Sequence, residues 1–154
     1  MIFDFVPFHE VAEEIAQNIN THYDDVDKKD DYGRPNLDWE NYLMQSEMGA
    51  CKAVTARDKG VLVAYSVFCM GVNMNHKTVV EAANTGIWVH PQYRGKITLE
   101  LVRNSDEFLK AAGVMETTYI LKDERIGALL KRAKYKPRHT VWSIYYDAIS
   151  NTTH

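Results

Sequence analysis

An α/β protein built on a mixed sheet is the fold class the sequence predicts, and three observations lead to it. Helix-like apolar spacing fills residues 7–20 and returns near residue 38. The apolar period becomes strand-like at Cys51 and holds through two runs joined by a short turn. A strand–helix–strand order then spans residues 79–121, followed by one more helix and one more strand. The order helix, helix, antiparallel strands, strand–helix–strand, helix, strand is that of a mixed sheet with helices on both faces.

Each element has a local reason. In residues 7–20, Val11, Ile15 and Ile19 repeat every four residues, with Phe8 and Ala12 alongside. Residues 21–38 are charged and loop-like, punctuated by Gly33 and Pro35. Asp38 is a suitable N-cap for a short helix through Trp39, Tyr42 and Leu43 that ends near Gly49. Residues 51–56 form a strand, residues 57–60 a hairpin turn with glycine last, and residues 61–70 a long apolar strand. Residues 71–78 read as a loop. Residues 79–89 form a strand whose continuous apolar end predicts burial on both faces. Residues 97–112 form a helix with Ile97, Leu101, Phe108, Leu109 and Ala112 on one side and Gly113 as its C-cap. A strand over 114–121, a helix over 123–134 and an alternating strand over 140–148 complete the chain.

The bulk properties set limits. The 154 residues make one domain, 1–154, with room for a core. The chain is 45% apolar and 25% charged, as in ordinary globular proteins, and its net charge of -3 argues against a globally basic nucleic-acid binder. Cys51 and Cys69 lie in strand-like runs without metal-type spacing and read as reduced core thiols, with a disulfide or a nucleophile as the alternatives. The apolar start, residues 1–6, is too short for a signal peptide, and no apolar stretch reaches membrane-spanning length. The expected location is the cytoplasm. Trp39, Tyr42, Trp88 and Trp142 are expected in the core, with a place beside a ligand channel as the alternative for Trp88. The acidic run over 24–31 reads first as a solvated loop and second as a rim that attracts cationic substrates. The basic run over 131–139 has two readings, contact with a phosphate group or nucleic acid and, favoured, cations that suit a helix C-terminus.

The stretch "GIWVHPQYRGKITLELV" holds the chemistry. Apolar residues run to His90-Pro91, a basic glycine turn follows, and a helix starts at once. N–H groups at a helix start lack partners and carry partial positive charge. Gly95 lets an anion approach the backbone, and Arg94 and Lys96 add charge. Gln92, Tyr93, Arg94, Gly95, Lys96, Ile97 and Thr98 are therefore a candidate cradle for a pyrophosphate.

"WVHPQYRGK" resembles the acetyl-CoA motif of the GNAT superfamily of N-acetyltransferases, a strand followed by Gln/Arg-x-x-Gly-x-Gly/Ala and a helix. The element order fits that superfamily over nearly the whole chain. "VTARDKGVLVAYSVF", "DWENYL", the "NHK" loop and "HPQYRG" resemble the branch found in tailed bacteriophages, for which the location would be the host cytoplasm. Ile97 stands where the superfamily has Gly or Ala, with Thr98 as the nearest small residue. The resemblance implies a mostly antiparallel sheet with one splayed parallel strand pair. It also implies acetyl-CoA as co-substrate, with its pantetheine arm against Ile87, Trp88 and Val89, whose backbone N–H groups would stabilise an oxyanion. The implied activity is transfer of an acetyl group to a primary amine by direct attack. The acceptor would be a small molecule or a protein lysine or N-terminus. A homodimer is left open, and neither a membrane nor a nucleic acid is expected as partner.

Direct attack requires a base for the ammonium and is helped by an acid at the leaving thiolate. Glu81, eleven residues before Gln92, stands at the separation of a catalytic glutamate in one histone-modifying branch. His76 is a second candidate base because histidine titrates near neutrality. The superfamily's usual acid, a tyrosine in the last helix, is replaced here by Leu130, so either the thiolate leaves without an acid, or another group such as Tyr119 or Tyr145 serves, or the fold has lost its chemistry. Asp123 falls where an asparagine often meets the pantetheine arm. The alternative function is a catalytically inactive acyl-CoA-binding or structural phage protein on the same fold.

Overall fold

The computed structural model describes residues 1–26, 36–121, 124–144 and 146. Its elements are β1 (Ile2–Pro7), α1 (Ala12–Val26), α2 (Trp39–Glu47), β2 (Cys51–Asp58), β3 (Val61–Asn73), β4 (His76–Val89), α3 (Lys96–Ala111), β5 (Glu116–Thr118) and α4 (Glu124–Arg132). The strands form one sheet in the order β1-β2-β3-β4-β5, antiparallel throughout except for the parallel pair β4–β5.

The sheet divides the core in two. Val54, Ala56, Ala64, Phe68, Ile87 and Val89 face α3 and α4, which contribute Leu101, Val102, Leu109 and Leu130. The opposite face, with Ala53, Tyr65, Val67 and Trp88, is covered by Phe8, Val11 and Ile15 and by Trp39 and Tyr42 of α2. The end of β4 serves both cores, as its apolar run predicts, because successive side chains alternate across the sheet.

Local chemistry ends the elements where expected in several places. Asp38 caps α2, accepting from the Asn41 N–H at 3.0 Å. The β2–β3 turn places Lys59 at φ 49° and Gly60 at φ 83°, the two left-handed residues a tight hairpin requires. Gly113 ends α3 at φ 88°.

Four expectations are corrected, and one strand is added. Residues 2–7 form a strand that pairs along β2. The first helix starts at Ala12 and continues to Val26, through residues that read as loop. Most of 71–78 belongs to the β3–β4 hairpin, whose turn is only Met74-Asn75. β5 covers three residues rather than eight. Among the described residues, 140–144 and 146 form no strand: Val141, Trp142, Ile144 and Tyr146 are exposed, so Trp142 is not in the core. The acidic run lies largely outside the described residues. The basic run fits its favoured reading, with Lys131 and Arg132 in the last turn of α4. No helix among the described residues is long and apolar enough to cross a membrane.

Glu14 ties α1 to the sheet. Arg57 grips its carboxylate with both terminal nitrogens, Nη1 donating to Oε2 at 2.8 Å and Nη2 donating to Oε1. The hydrogen bond from Arg57 holds the Glu14 carboxyl below its ordinary value of 4.5. A depressed folded-state pKa gives stability that is present above the unfolded value and lost as pH falls through the folded one. The Glu14 side chain is 40% exposed, so solvent limits the effect to at most about 1 kcal/mol. Glu14→Gln should therefore melt slightly below the native chain at pH 7, with the gap closing below pH ~4. An unchanged gap on acidification would remove the ion pair from the account.

Candidate active site

The last strands set up an opening. β4 and β5 pair through Glu81–Glu116, Ala82–Thr117 and Ala83–Thr118, with Met115 N–H donating to the Val80 carbonyl at 2.9 Å just before them. Immediately after, β4 bulges: Asn84 lies opposite Phe68, Gly86 opposite Val67, and Thr85 is left over. A bulge bends its strand and raises the local twist, and past it residues 119–121 do not pair with β4. Asn84 pins the bend, its Nδ2 donating to Ser66 Oγ at 2.9 Å and to the carbonyls of Val67 and Gly86, both at 3.2 Å.

Ladder alternation says which backbone groups face this wedge. His90 N–H donates to the Val63 carbonyl at 2.8 Å, so Val63 and His90 form a hydrogen-bonded pair. The classes alternate along an antiparallel ladder. Tyr65–Trp88 is then a second hydrogen-bonded pair, and Ala64–Val89 and Ser66–Ile87 are not. Ile87 and Val89 consequently turn their N–H and C=O groups toward the side that β5 has left. The Trp88 backbone stays on β3, and its indole packs against Tyr65 at 5.6 Å on the α1–α2 face. Of the three strand residues expected to meet a pantetheine arm, two present backbone to the wedge. The Val89 carbonyl accepts from Arg94 Nε at 3.1 Å.

Beyond Val89 the chain makes a tight 3-10 turn, Pro91–Tyr93, capped by His90, whose Nδ1 accepts from Gln92 N–H at 3.3 Å. Tyr93 fastens the turn to the β2–β3 hairpin, donating its hydroxyl to Asp58 Oδ2 at 2.7 Å. That bond raises the Tyr93 pKa, since ionisation would break it. Gly95 then takes φ 95° and ψ -104°, and α3 begins with no side-chain cap. The space a Cβ would occupy at Gly95 is open to 4 Å. The N–H groups of Lys96, Ile97 and Thr98 have no intrahelical partner. Lys96 is exposed and loosely paired with Glu100 at 3.6 Å. Ile97 packs into the α3–α4 core, and Thr98 is buried, so neither side chain fills the cradle.

The acid–base candidates are distributed unevenly. Glu81 sits on the paired stretch of β4, three residues before Asn84 and so about 10 Å from the point of divergence. It accepts a hydrogen bond from Asn73 Nδ2 and neighbours Glu116, which in turn meets His139 at 3.6 Å. His76 is exposed at the far end of β4, eleven residues from Ile87, on the order of 30 Å along the strand; the structure does not bring it to the wedge. Tyr119 is the residue after β5. Its ring meets Phe68 edge-on at 6.0 Å and Tyr135 at 5.3 Å. Its hydroxyl is buried and has no partner at hydrogen-bonding geometry among the described residues, although Ser66 and Tyr135 lie close enough to offset part of its pKa rise. Burial is the main cause of that rise, and the charge of Asp106 adds to it. Leu130 fills core volume on α4, and Tyr135 turns its hydroxyl to Asp106. Asp123 and Tyr145 lie outside the described residues.

No family model and no curated protein matches the chain. Solved structures do. Ribosomal-protein-alanine N-acetyltransferase from Brucella melitensis biovar Abortus 2308 superposes with a TM-score of 0.70 at 15% identity, over 95% of this chain and 100% of the other. The chain has the GNAT acetyltransferase fold. An aminoglycoside acetyltransferase from an uncultured soil metagenomic sample, in complex with sisomicin, gives 0.70 at 15% identity over 96% and 95% of the two chains. A predicted acetyltransferase with acetyl-CoA from Clostridium acetobutylicum gives 0.68 at 10% identity over 94% and 95%. In this GNAT fold the parallel pair expected from the sequence is β4–β5.

The sequence reading missed the bulge, the Asp58–Tyr93 anchor and Ser66. The bulge had a signal: Asn84-Thr85-Gly86 interrupts an otherwise apolar strand, as glycine at a bulge does. The other two depend on pairing between distant segments.

Proposed function

We propose that the chain is an acetyl-CoA-dependent N-acetyltransferase acting on a primary amine. The observation that carries this reading is the continuity of the site. An uncapped helix start at Gly95, backbone donors at Val89 and Ile87, and the divergence of β4 from β5 follow one another along one strand. The residues suit such a co-substrate: the cradle is open at Gly95, and the buried Tyr119 hydroxyl lacks a partner that a bound group could supply.

Acetyl-CoA would bring the activated thioester. The chain's own groups divide the remaining work. The N–H groups opening α3, with Arg94 and Lys96, hold the pyrophosphate. The Ile87 and Val89 N–H groups hold the arm and the developing negative charge on the carbonyl oxygen. Glu81 accepts the proton released as the amine attacks, through water where the gap requires it. Tyr119, kept protonated by burial, donates a hydrogen bond to the leaving sulfur. The neighbours that act on an aminoglycoside or on a ribosomal-protein alanine support an amine acceptor in general terms. The phage branch rests on the sequence resemblance alone.

Leu130, buried at the place of the superfamily's usual tyrosine, favours a second reading in which the fold binds acyl-CoA without turnover. Thiol release from acetyl-CoA across a panel of primary amines separates the two. The proposed enzyme releases CoA with at least one amine, and Glu81→Gln slows it about 100-fold at unchanged acetyl-CoA affinity. Equal rates for variant and native protein would remove Glu81 from the mechanism, and no release with any amine would favour the binding protein.

A further inference from the structure

We propose that Cys51 and Cys69 are a redox-active dithiol that a low-molecular-weight disulfide of the glutathione type closes into a reversible cross-strand bridge. The two cysteines are directly opposite on β2 and β3. Their class in the ladder follows from the next pair. Met70 N–H donates to the Ala50 carbonyl at 2.7 Å, which makes Ala50 and Met70 a hydrogen-bonded pair. Cys51 and Cys69, one step along, are a non-hydrogen-bonded pair, the class in which facing Cα atoms come within about 4.5 Å and side chains are nearest. Disulfides span Cα separations of about 4.4–6.8 Å. The bridge can therefore close without strand movement.

The two thiols are unequal. Cys51 is fully buried, whereas Cys69 is partly exposed. The two facing thiols act on each other, lowering Cys69 to about 7 and raising Cys51, because the pair holds one proton more readily than none. This assigns the order of attack. The Cys69 thiolate attacks one sulfur of oxidised glutathione. The S–S bond breaks, one glutathione leaves as a thiolate and takes up a proton, and a mixed disulfide remains on Cys69. Cys51 then gives up its proton and attacks the Cys69 sulfur, and the second glutathione leaves. Two protein thiols are oxidised to one disulfide, and one glutathione disulfide is reduced to two thiols.

The pair is placed to be felt at the wedge. Tyr42 on α2 is close enough to both sulfurs for a thiolate at either to raise its pKa, and close enough to Thr85 at the β4 bulge for that hydroxyl to offset part of the rise. The chemistry itself does not depend on the proposed activity.

The test is incubation of the full native chain with oxidised glutathione, followed by intact mass and by titration of free thiols. The native protein should lose both free thiols without retaining a glutathionyl group, and dithiothreitol should restore them. Cys51→Ala should instead accumulate one glutathionyl adduct on Cys69, and Cys69→Ser should react at least about tenfold more slowly than Cys51→Ala. Two free thiols persisting in the native protein would overturn the proposal, as would a stable glutathionyl adduct on it. Both of these readings need no variant.

Discussion

Gly95→Glu is expected to weaken acetyl-CoA binding at least about 100-fold, or ~2.7 kcal/mol. Two effects add. At φ 95° and ψ -104° an L-residue is strained, at a cost of about 1–3 kcal/mol. A carboxylate also enters the position where the proposed pyrophosphate must sit. The helix itself should tolerate the change, because an acidic group at a helix start interacts favourably with the dipole. Gly95→Ala separates the contributions. Nothing lies within 4 Å of the added Cβ, so it tests strain alone and should fall between the native chain and the glutamate variant. Calorimetric titration with acetyl-CoA reads both. Native affinity in Gly95→Glu would place the cofactor elsewhere.

Tyr119→Phe should move stability and catalysis in opposite directions. Leaving a buried polar group without a partner costs about 1–3 kcal/mol, and the Tyr119 hydroxyl is such a group. Its removal should raise the melting temperature of the ligand-free protein by about 2–4 °C for each kcal/mol recovered. Turnover should meanwhile fall about 100-fold, with little change in acetyl-CoA affinity, if the hydroxyl serves the leaving sulfur. A variant that melts lower would mean the hydroxyl is paired in the free protein. Unchanged turnover would mean that the thiolate departs without it.

The elements that were legible from sequence are those whose ends are written locally. Asp38 announces α2, Lys59-Gly60 announces the hairpin, and Gly95 followed by a helical period announces α3. What was not legible depends on partners. Residues 2–7 are a brief apolar stretch with no assignable element until β2 lies beside them. Residues 71–73 and 76–78 look like loop because the outer end of the β3–β4 hairpin faces water, so its ladder rather than burial holds it. The tail alternates as a strand should, yet no strand forms among its described residues. The cysteine pair shows most sharply how a site can hide. Asp58 pairs with Val61 and Arg57 with Leu62, and that register continued would set Cys51 opposite Phe68. The register shift between Ala56 and Arg57 moves the partner by one residue, to Cys69. A one-residue slip changes which side chains share a face, and nothing in the spacing of two cysteines reveals it. The candidate acyl site was half legible for the same reason. Its turn is local, whereas the Tyr119 hydroxyl becomes conspicuous only when β5, β3 and the segment after α4 surround it.

The most direct test of the central claim is a thermal melt of the native chain with and without acetyl-CoA. At a hundredfold excess over Kd, binding to the folded state adds roughly 2.7 kcal/mol. For a chain of this length that corresponds to a rise of about 5–11 °C. A shift of this size, absent in Gly95→Glu, is the predicted result. An unmoved midpoint at millimolar acetyl-CoA would contradict the account, since the turn at Gly95 and the wedge beyond it would then hold no CoA thioester.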